Sequence, residues 1–316
     1  MTATTTPQFT TSFLNSIGVE IMSSSHDKPF EMFWNWFRQT WITLQDVPFD
    51  HNDPEHIQAC LDVINRHALP TPMEVLNFEI KITGLSRVAL AQITRGRVGW
   101  AYVVESQMPQ HINHNVTIPI NVYQNEKFRD RAVELVKLSQ ELYDDMYDAG
   151  IPPQDCRYLV MHSQQTSLVM QCNYAALLGY FARRCENGLT DELNLVGRLI
   201  LRELKKKYLN ADGSDRIAGS GWSVLLSKMD GMGTNKVCLN VDKVFGNTGR
   251  APSVNNKIPS LLDNSCDYDF SQSAWYFELQ NLPDDLLFPG EREMIEDFKS
   301  IGFVGRLQKL ADSKKV

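Results

Sequence analysis

The apolar positions change period along the chain, and each change marks an element. In FEMFWNWFRQTW, Phe30, Phe33, Trp34, Phe37 and Trp41 recur at helical spacing and predict an amphipathic helix for core packing or a subunit contact. Few basic residues flank that face, which argues against a membrane-surface helix. Residues 1–28 read as a flexible lead-in, and 56–67 as a short helix. The period then drops to two: Phe78, Ile80 and Ile82 alternate with polar residues and predict a strand over 77–83, ended by Gly84. Ser86 can cap a helix running through Val88, Leu90 and Gln92 to Arg97. Residues 115–122 alternate again and predict a second strand. Residues 126–149 predict a long amphipathic helix stopped by Gly150, and Pro153 suits the first turn of the next helix. The largely apolar 167–184 predicts a buried helix, and 190–208 another, its basic end complementing the C-terminal dipole. Residues 210–269 are rich in Gly, Asn, Ser and Asp and read as a loop-rich insertion, and 291–311 as a closing helix. The expected organisation is an N-terminal extension over 1–68, a core over 69–208, and a loop-rich C-terminal extension over 209–316 packed on that core.

With 316 residues, 43% of them hydrophobic, the chain can bury a sizeable core without disulfides or metals. Its net charge of −7 speaks against non-specific nucleic-acid binding, which runs on basic surface. The start of the chain has no basic residue ahead of its first apolar stretch, and no apolar run approaches the length of a membrane span. The expectation is a cytoplasmic protein with no membrane and no nucleic-acid partner. The six cysteines show no C-x-x-C spacing and read as thiols of a reducing compartment. His111 and His114 form H-x-x-H, but no cysteine or acidic pair stands nearby in sequence at metal spacing. They read as a surface loop, and no metal site is expected. No G-x-S-x-G elbow exists for a hydrolase triad.

The arginines carry more information. Gln92 and Arg95 stand at i, i+3 near a helix end, with Arg97 close behind. Arg157 is expected in the first turn of a helix, where its guanidinium and free backbone N–H groups can share an anion. Arg183 and Arg184 follow an apolar helical run. Singly, each reads as structural. Together they supply donor forks suited to a phosphate and a carbonyl-rich ring.

The order of these segments resembles the flavin-dependent thymidylate synthases. The stretch TPMEVLNFEIKITGLSRVALAQITRGR matches that family's Thr-Pro-x-Glu turn, strand, and helix bearing Gln and Arg-His-Arg, through Thr71, Pro72, Glu74, Gln92, Arg95 and Arg97. In YDDMYDAGIPPQDCRYLV, Arg157 falls on the family's nucleotide-phosphate arginine; Asn173 and Arg184 match a mid-helix Asn and a terminal Arg, and Glu192 an acidic residue on the next helix. The resemblance spans roughly 69–204. It implies an α+β fold, a mixed sheet packed with long helices, and a homotetramer with the flavin across subunit boundaries. It implies transfer of a one-carbon unit from methylenetetrahydrofolate to C5 of a pyrimidine nucleotide, dUMP by default, with FAD as cofactor and NADPH as reductant. By resemblance Thr71, Glu74, Arg95, Arg97 and Asn173 bind the flavin. Gln92, Glu105, Ser106, Arg157 and Arg184 bind the nucleotide, Arg184 and Gln92 being the catalytic pair.

The chain departs from the pattern at five places, the first being the absence of the histidine that precedes the Thr-Pro turn. Gly96 replaces the central histidine of Arg-His-Arg, Gln107 stands where a second phosphate arginine belongs, and Ala175 and Gly179 replace an arginine and a flavin-contacting Asn. These departures leave two alternatives beside C5 methylation: hydroxymethylation of dUMP or dCMP, and a non-catalytic nucleotide-binding or assembly subunit on the same fold.

Overall fold

The computed structural model describes residues 9–10, 13–65, 71–108, 111–185, 191–231 and, with single gaps, 281–300. Along the chain these form β1 (Phe9–Thr10), α1 (Phe13–Ser16), β2 (Gly18–Ser24), α2 (Pro29–Arg38), α3 (Pro54–Asn65), α4 (Pro72–Val75), β3 (Asn77–Ser86), α5 (Arg87–Ile93) and β4 (Trp100–Val104). Then come β5 (Val116–Thr117), α6 (Ile120–Gln124), α7 (Glu126–Asp148), α8 (Pro153–Cys156), β6 (Gln165–Asn173), α9 (Tyr174–Arg184), α10 (Asp191–Tyr208) and a helix α11 over 222–231. The main sheet has four strands in the order β2-β3-β6-β4, every neighbouring pair antiparallel. A separate two-stranded parallel pair joins β1 to β5. The fold is α+β.

One face of the sheet carries the core. Phe78, Ile80 and Ile82 of β3 and Leu168, Met170 and Cys172 of β6 are buried, while Glu79, Lys81 and Gln171 between them point outward. This is the alternation that a half-buried antiparallel sheet imposes. Onto the buried face pack Phe33 of α2, Phe181 of α9, Leu199 of α10 and Trp222 of α11, all in one apolar cluster. Burying a side chain of this size contributes roughly 1.5–3 kcal/mol. Indole N–H groups find partners as they are buried: Trp34 Nε1 donates to Val47 O at 2.9 Å and Trp222 Nε1 to Asp27 O at 2.9 Å.

Five expectations need correction. Residues 18–24 are an edge strand and not part of a flexible lead-in; the Ser23–Ser24–Ser25 run hides it, and pairing with β3 makes it. The strand β3 runs through Gly84 to Ser86, because Gly84 adopts φ 70° and absorbs a bulge between Ile82 and Leu85. A side chain there would collide with Ser16 O at 1.8 Å. The predicted strand over 115–122 shrinks to Val116–Thr117, since Pro119 has no N–H to give a ladder and begins α6 instead. The predicted helix over 167–184 is half strand: Leu168, Met170 and Cys172 alternate with Val169 and Gln171 in β6. Asn173 then caps α9, its Oδ1 accepting from Ala176 N at 2.8 Å. Helix α7 and its Gly150 stop (φ 84°) match the sequence reading. Within the stretch 210–269 read as loop-rich, 222–231 is the helix α11, whose Trp222, Leu225 and Leu226 join the core; residues 232–280 and those beyond 300 lie outside the described residues. Among the described residues no helix is long and apolar enough to cross a membrane.

Candidate functional site

Two strand–helix junctions at one end of the sheet meet. Asn77 pairs in register with Asn173, and Tyr174 N donates to Leu76 O at 2.8 Å. This ties α4 to the start of α9. Buried Pro72 and Met73 anchor α4 and leave Thr71 and Glu74 exposed at the surface. From the far end of β3 the chain turns into α5. Ser86 caps it, accepting from Ala89 N at 3.1 Å.

The chain after α5 crosses back over α9. Helix α5 ends at Ile93, so Arg95 and Arg97 lie in the following turn and not on the helix, and both are exposed. Arg95 N donates to Gln92 O at 3.3 Å, and Arg184 Nη2 reaches the same carbonyl at 3.1 Å. Gly99, at φ 76°, lies on the start of α9: Asn173 N donates to Gly99 O at 3.1 Å, and a side chain at Gly99 would meet the Asn173 amide at 2.7 Å. The structure thus joins Gln92 to Arg184 at one end of α9 and Gly99 to Asn173 at the other, with Arg95 and Arg97 exposed on the segment between.

The departure at Gly96 has a steric reason here. A side chain at Gly96 would meet Tyr102 OH at 2.9 Å and Trp100 Nε1 at 3.0 Å. Those rings are parallel within 3°, with centroids 6.0 Å apart, and Tyr102 OH donates to Ile93 O at 2.9 Å. Burial pushes the Tyr102 phenol up to about 12, against the pull of Arg97. Within the segment 98–107, Trp100–Val104 form the strand β4.

Glu105, Ser106 and Arg157 form a second patch at the opposite end of β4. Glu105 N donates to Ser167 O at 2.9 Å and Glu105 Oε2 accepts from Ser167 N at 3.1 Å. Ser106 Oγ accepts from Met108 N at 3.2 Å. The expected placement of Arg157 in a first helical turn is corrected: α8 has a single turn, Arg157 is its C-cap, and Arg157 Nε donates to Gln154 O at 3.1 Å. Arg157 is also the first residue of a single 3-10 turn over Arg157–Leu159.

Sequence reasoning missed Arg87, the first residue of α5. Its Nη2 lies 3.5 Å from Glu105 O, and with the Gln107 amide oxygen turned toward it, that oxygen accepts from Nε at 2.9 Å and Nη2 at 3.2 Å. Burial lowers the affinity of Arg87 for its proton, the Glu105 carboxylate works the other way, and the like charge of Arg157 lowers it further. The signal was available: a cation in the first turn opposes the helix dipole. Glu192 of α10 braces the same turn, accepting from Ser86 N at 2.5 Å and Ser86 Oγ at 2.6 Å. Burial raises the Glu192 carboxyl above its ordinary range, and the Ser86 bonds oppose that rise. Helix α5 therefore bridges the patches, with Arg87 at one end and Gln92 at the other. Among the described residues Cys60, Cys156, Cys172 and Cys185 are buried, and burial pushes the Cys60 thiol up to about 12.

This order of elements is that of known proteins. Residues 25–208 match the family model described as thymidylate synthase complementing protein, and the chain belongs to that family. The match begins well before residue 69 and takes in α2 and α3. The flavin-dependent thymidylate synthase of Thermococcus onnurineus (strain NA1) is 23% identical over 185 residues, which is 57% of this chain and 75% of that protein. The flavin-dependent thymidylate synthase of Sulfurisphaera tokodaii is 28% identical over 162 residues, 49% of this chain and 60% of that protein. Among solved structures, the UMP/dUMP methylase PolB from Streptomyces cacaoi bound with 5-Br UMP superimposes with a TM-score of 0.51 at 15% identity, covering 64% of this chain and 92% of that one. That likeness is one of fold.

Proposed function

We propose that this chain is a flavin-dependent enzyme that transfers a one-carbon unit to C5 of a pyrimidine nucleotide, with dUMP the default substrate. One observation carries the reading. Residues far apart in sequence that share the family's motif converge, with Arg184 donating to the Gln92 carbonyl across 92 positions and Gly99 packed on Asn173.

Thr71, Glu74, Arg95, Arg97 and Asn173 are the flavin contacts in this reading. The donor set fits FAD: among the described residues no carboxylate pairs with Arg95 or Arg97, so two guanidinium forks stand ready for a pyrophosphate beside the Asn173 amide. The exposure of Thr71, Glu74, Arg95 and Arg97 suits a site closed by a neighbouring copy, as in a homotetramer. When bound, reduced flavin supplies the hydride that completes a methyl group, with methylenetetrahydrofolate as one-carbon donor and NADPH as reductant.

The chain's own residues bind and polarise the nucleotide. Arg157 holds the phosphate, and Arg87 replaces the arginine missing at Gln107. That binding orients the ring. Gln92 and Arg184 face the ring carbonyls, where Arg184 stabilises the negative charge that activates C5. Glu105 and Ser106 complete the nucleotide contacts. A second reading, C5 hydroxymethylation of dUMP or dCMP with water capturing the methylene adduct, is favoured by one observation: Trp100 and Tyr102 occupy the space of the family's histidine.

The test is an absorbance spectrum of protein soaked in FAD and desalted, followed by mass spectrometry of products from uridine and cytidine nucleotides. Retained flavin and a methylated product support the first reading, and a hydroxymethylated product the second. A clean protein spectrum with no product overturns both in favour of a non-catalytic nucleotide binder.

A further inference from the structure

We propose that His111, His114 and Asp144 form a binding site for one divalent first-row metal ion of the zinc type, contrary to the sequence expectation of a surface loop without a metal. The H-x-x-H pair acquires its third ligand from α7. His111 Nε2 lies 2.8 Å and His114 Nε2 3.0 Å from the same Asp144 Oδ1, and the potential ligand atoms of the three residues all lie within 4.8 Å of one another.

The hydrogen bonds around the cluster favour a cation at its centre. His111 Nδ1 sits 2.9 Å from Ile112 O. A carbonyl only accepts, so Nδ1 carries the proton, and a neutral His111 turns the lone pair of Nε2 toward a carboxylate oxygen. A proton on Nε2 or a metal ion between the two atoms satisfies that contact, and both atoms are good donors to a zinc-type ion. A backbone carbonyl holding the second nitrogen is also the usual support of a metal-bound histidine. His114 Nδ1 has no hydrogen-bond partner among the described residues, so the His114 ring is oriented by Asp144 Oδ1 on Nε2, the nitrogen that faces the cluster.

The segment bearing the histidines is fixed although it has no regular secondary structure. Gln140 Nε2 donates to His114 O at 2.9 Å, Gln164 Nε2 to Asn113 O at 2.6 Å, and Ile112 is buried against Tyr143 and Cys156. The His114 side chain is 6% exposed, against 41% for His111 and 36% for Asp144. His114 is the fixed ligand and the other two can adjust. Ligand atoms bonded at about 2.0–2.1 Å in a tetrahedron stand about 3.3 Å apart, so the two His–Asp separations open by a few tenths of an ångström. Two imidazoles and one carboxylate select zinc-type ions over magnesium or calcium. The partly exposed side leaves a fourth position for water.

The full-length protein, stripped with chelator and desalted, is titrated with Co(II) and then with Zn(II). The expected result is one equivalent of Co(II) with a visible d–d band, bleached by Zn(II). Asp144→Asn and His111→Ala each weaken Co(II) binding at least tenfold while keeping the wild-type circular dichroism, and His26→Ala leaves it unchanged. Absence of the band in the wild type, or its persistence in both ligand variants, overturns the proposal.

Discussion

The two ends of α5 hold guanidiniums in opposite electrostatic settings. At the C-terminal end, Arg184 donates to the Gln92 carbonyl in the last turn, so its charge sits where the dipole favours it. At the N-terminal end, Arg87 opposes the dipole and is partly desolvated, with Glu105 and Gln107 as its compensation. A favourably placed cation is explained by the fold alone. A cation held against the field calls for an anion nearby, so Arg87 is the more diagnostic of the two.

Substitutions can break or sharpen this contrast. The largest effect belongs to Arg184→Ala: kcat should fall on the order of 10²-fold with little change in nucleotide affinity, because the proposed contact strengthens as charge develops. Single-turnover rates beside a binding titration separate the two quantities. At the other end, Arg157→Ala should cost about 1.5–3 kcal/mol of nucleotide affinity, roughly 10–100-fold, and leave retained FAD unchanged. Arg87→Ala should cost less, and the double variant should fall short of the sum because the two charges share one phosphate. Equal, small effects from Arg184 and Arg157 would dissolve the distinction between the patches.

Glu192→Gln probes the brace beneath Arg87. The Glu192 carboxyl is raised in the folded chain, so the stability it contributes is full below the ordinary glutamate value and is lost as pH rises through its folded value. Urea midpoints across that window should decline for the wild type and flatten in the variant. The smallest effect is expected of Gly96→His, which restores the family residue. It should lower stability by about 1 kcal/mol as Trp100 and Tyr102 give way, read as a modest drop in Tm.

The site was legible in sequence wherever a residue sits inside a motif of fixed spacing. Arg95 and Arg184 both reach the Gln92 carbonyl, and Gly99 packs on Asn173, at positions the order of segments singled out. Arg157 stands where the single-turn α8 passes into a 3-10 turn, a junction too short to leave a periodic signal in the sequence. Arg87 was missed because its partners Glu105 and Gln107 arrive from a strand edge more than a dozen residues away.

Periodicity alone determined α2, α3, α7 and α10, whose apolar faces repeat over two or more turns and whose stops are local: Gly150 after α7 needs nothing beyond its own φ. Tertiary structure decided β6, because an apolar stretch becomes a central strand only when β3 and β4 supply ladder partners on both sides. It also decided the histidine cluster. His111 and His114 are three residues apart, but Asp144 lies 33 positions beyond His111 and reaches it only because α7 packs against that segment. Backbone preference acts over one or two turns; a ligand set or a sheet is made by residues that meet only when the chain has folded.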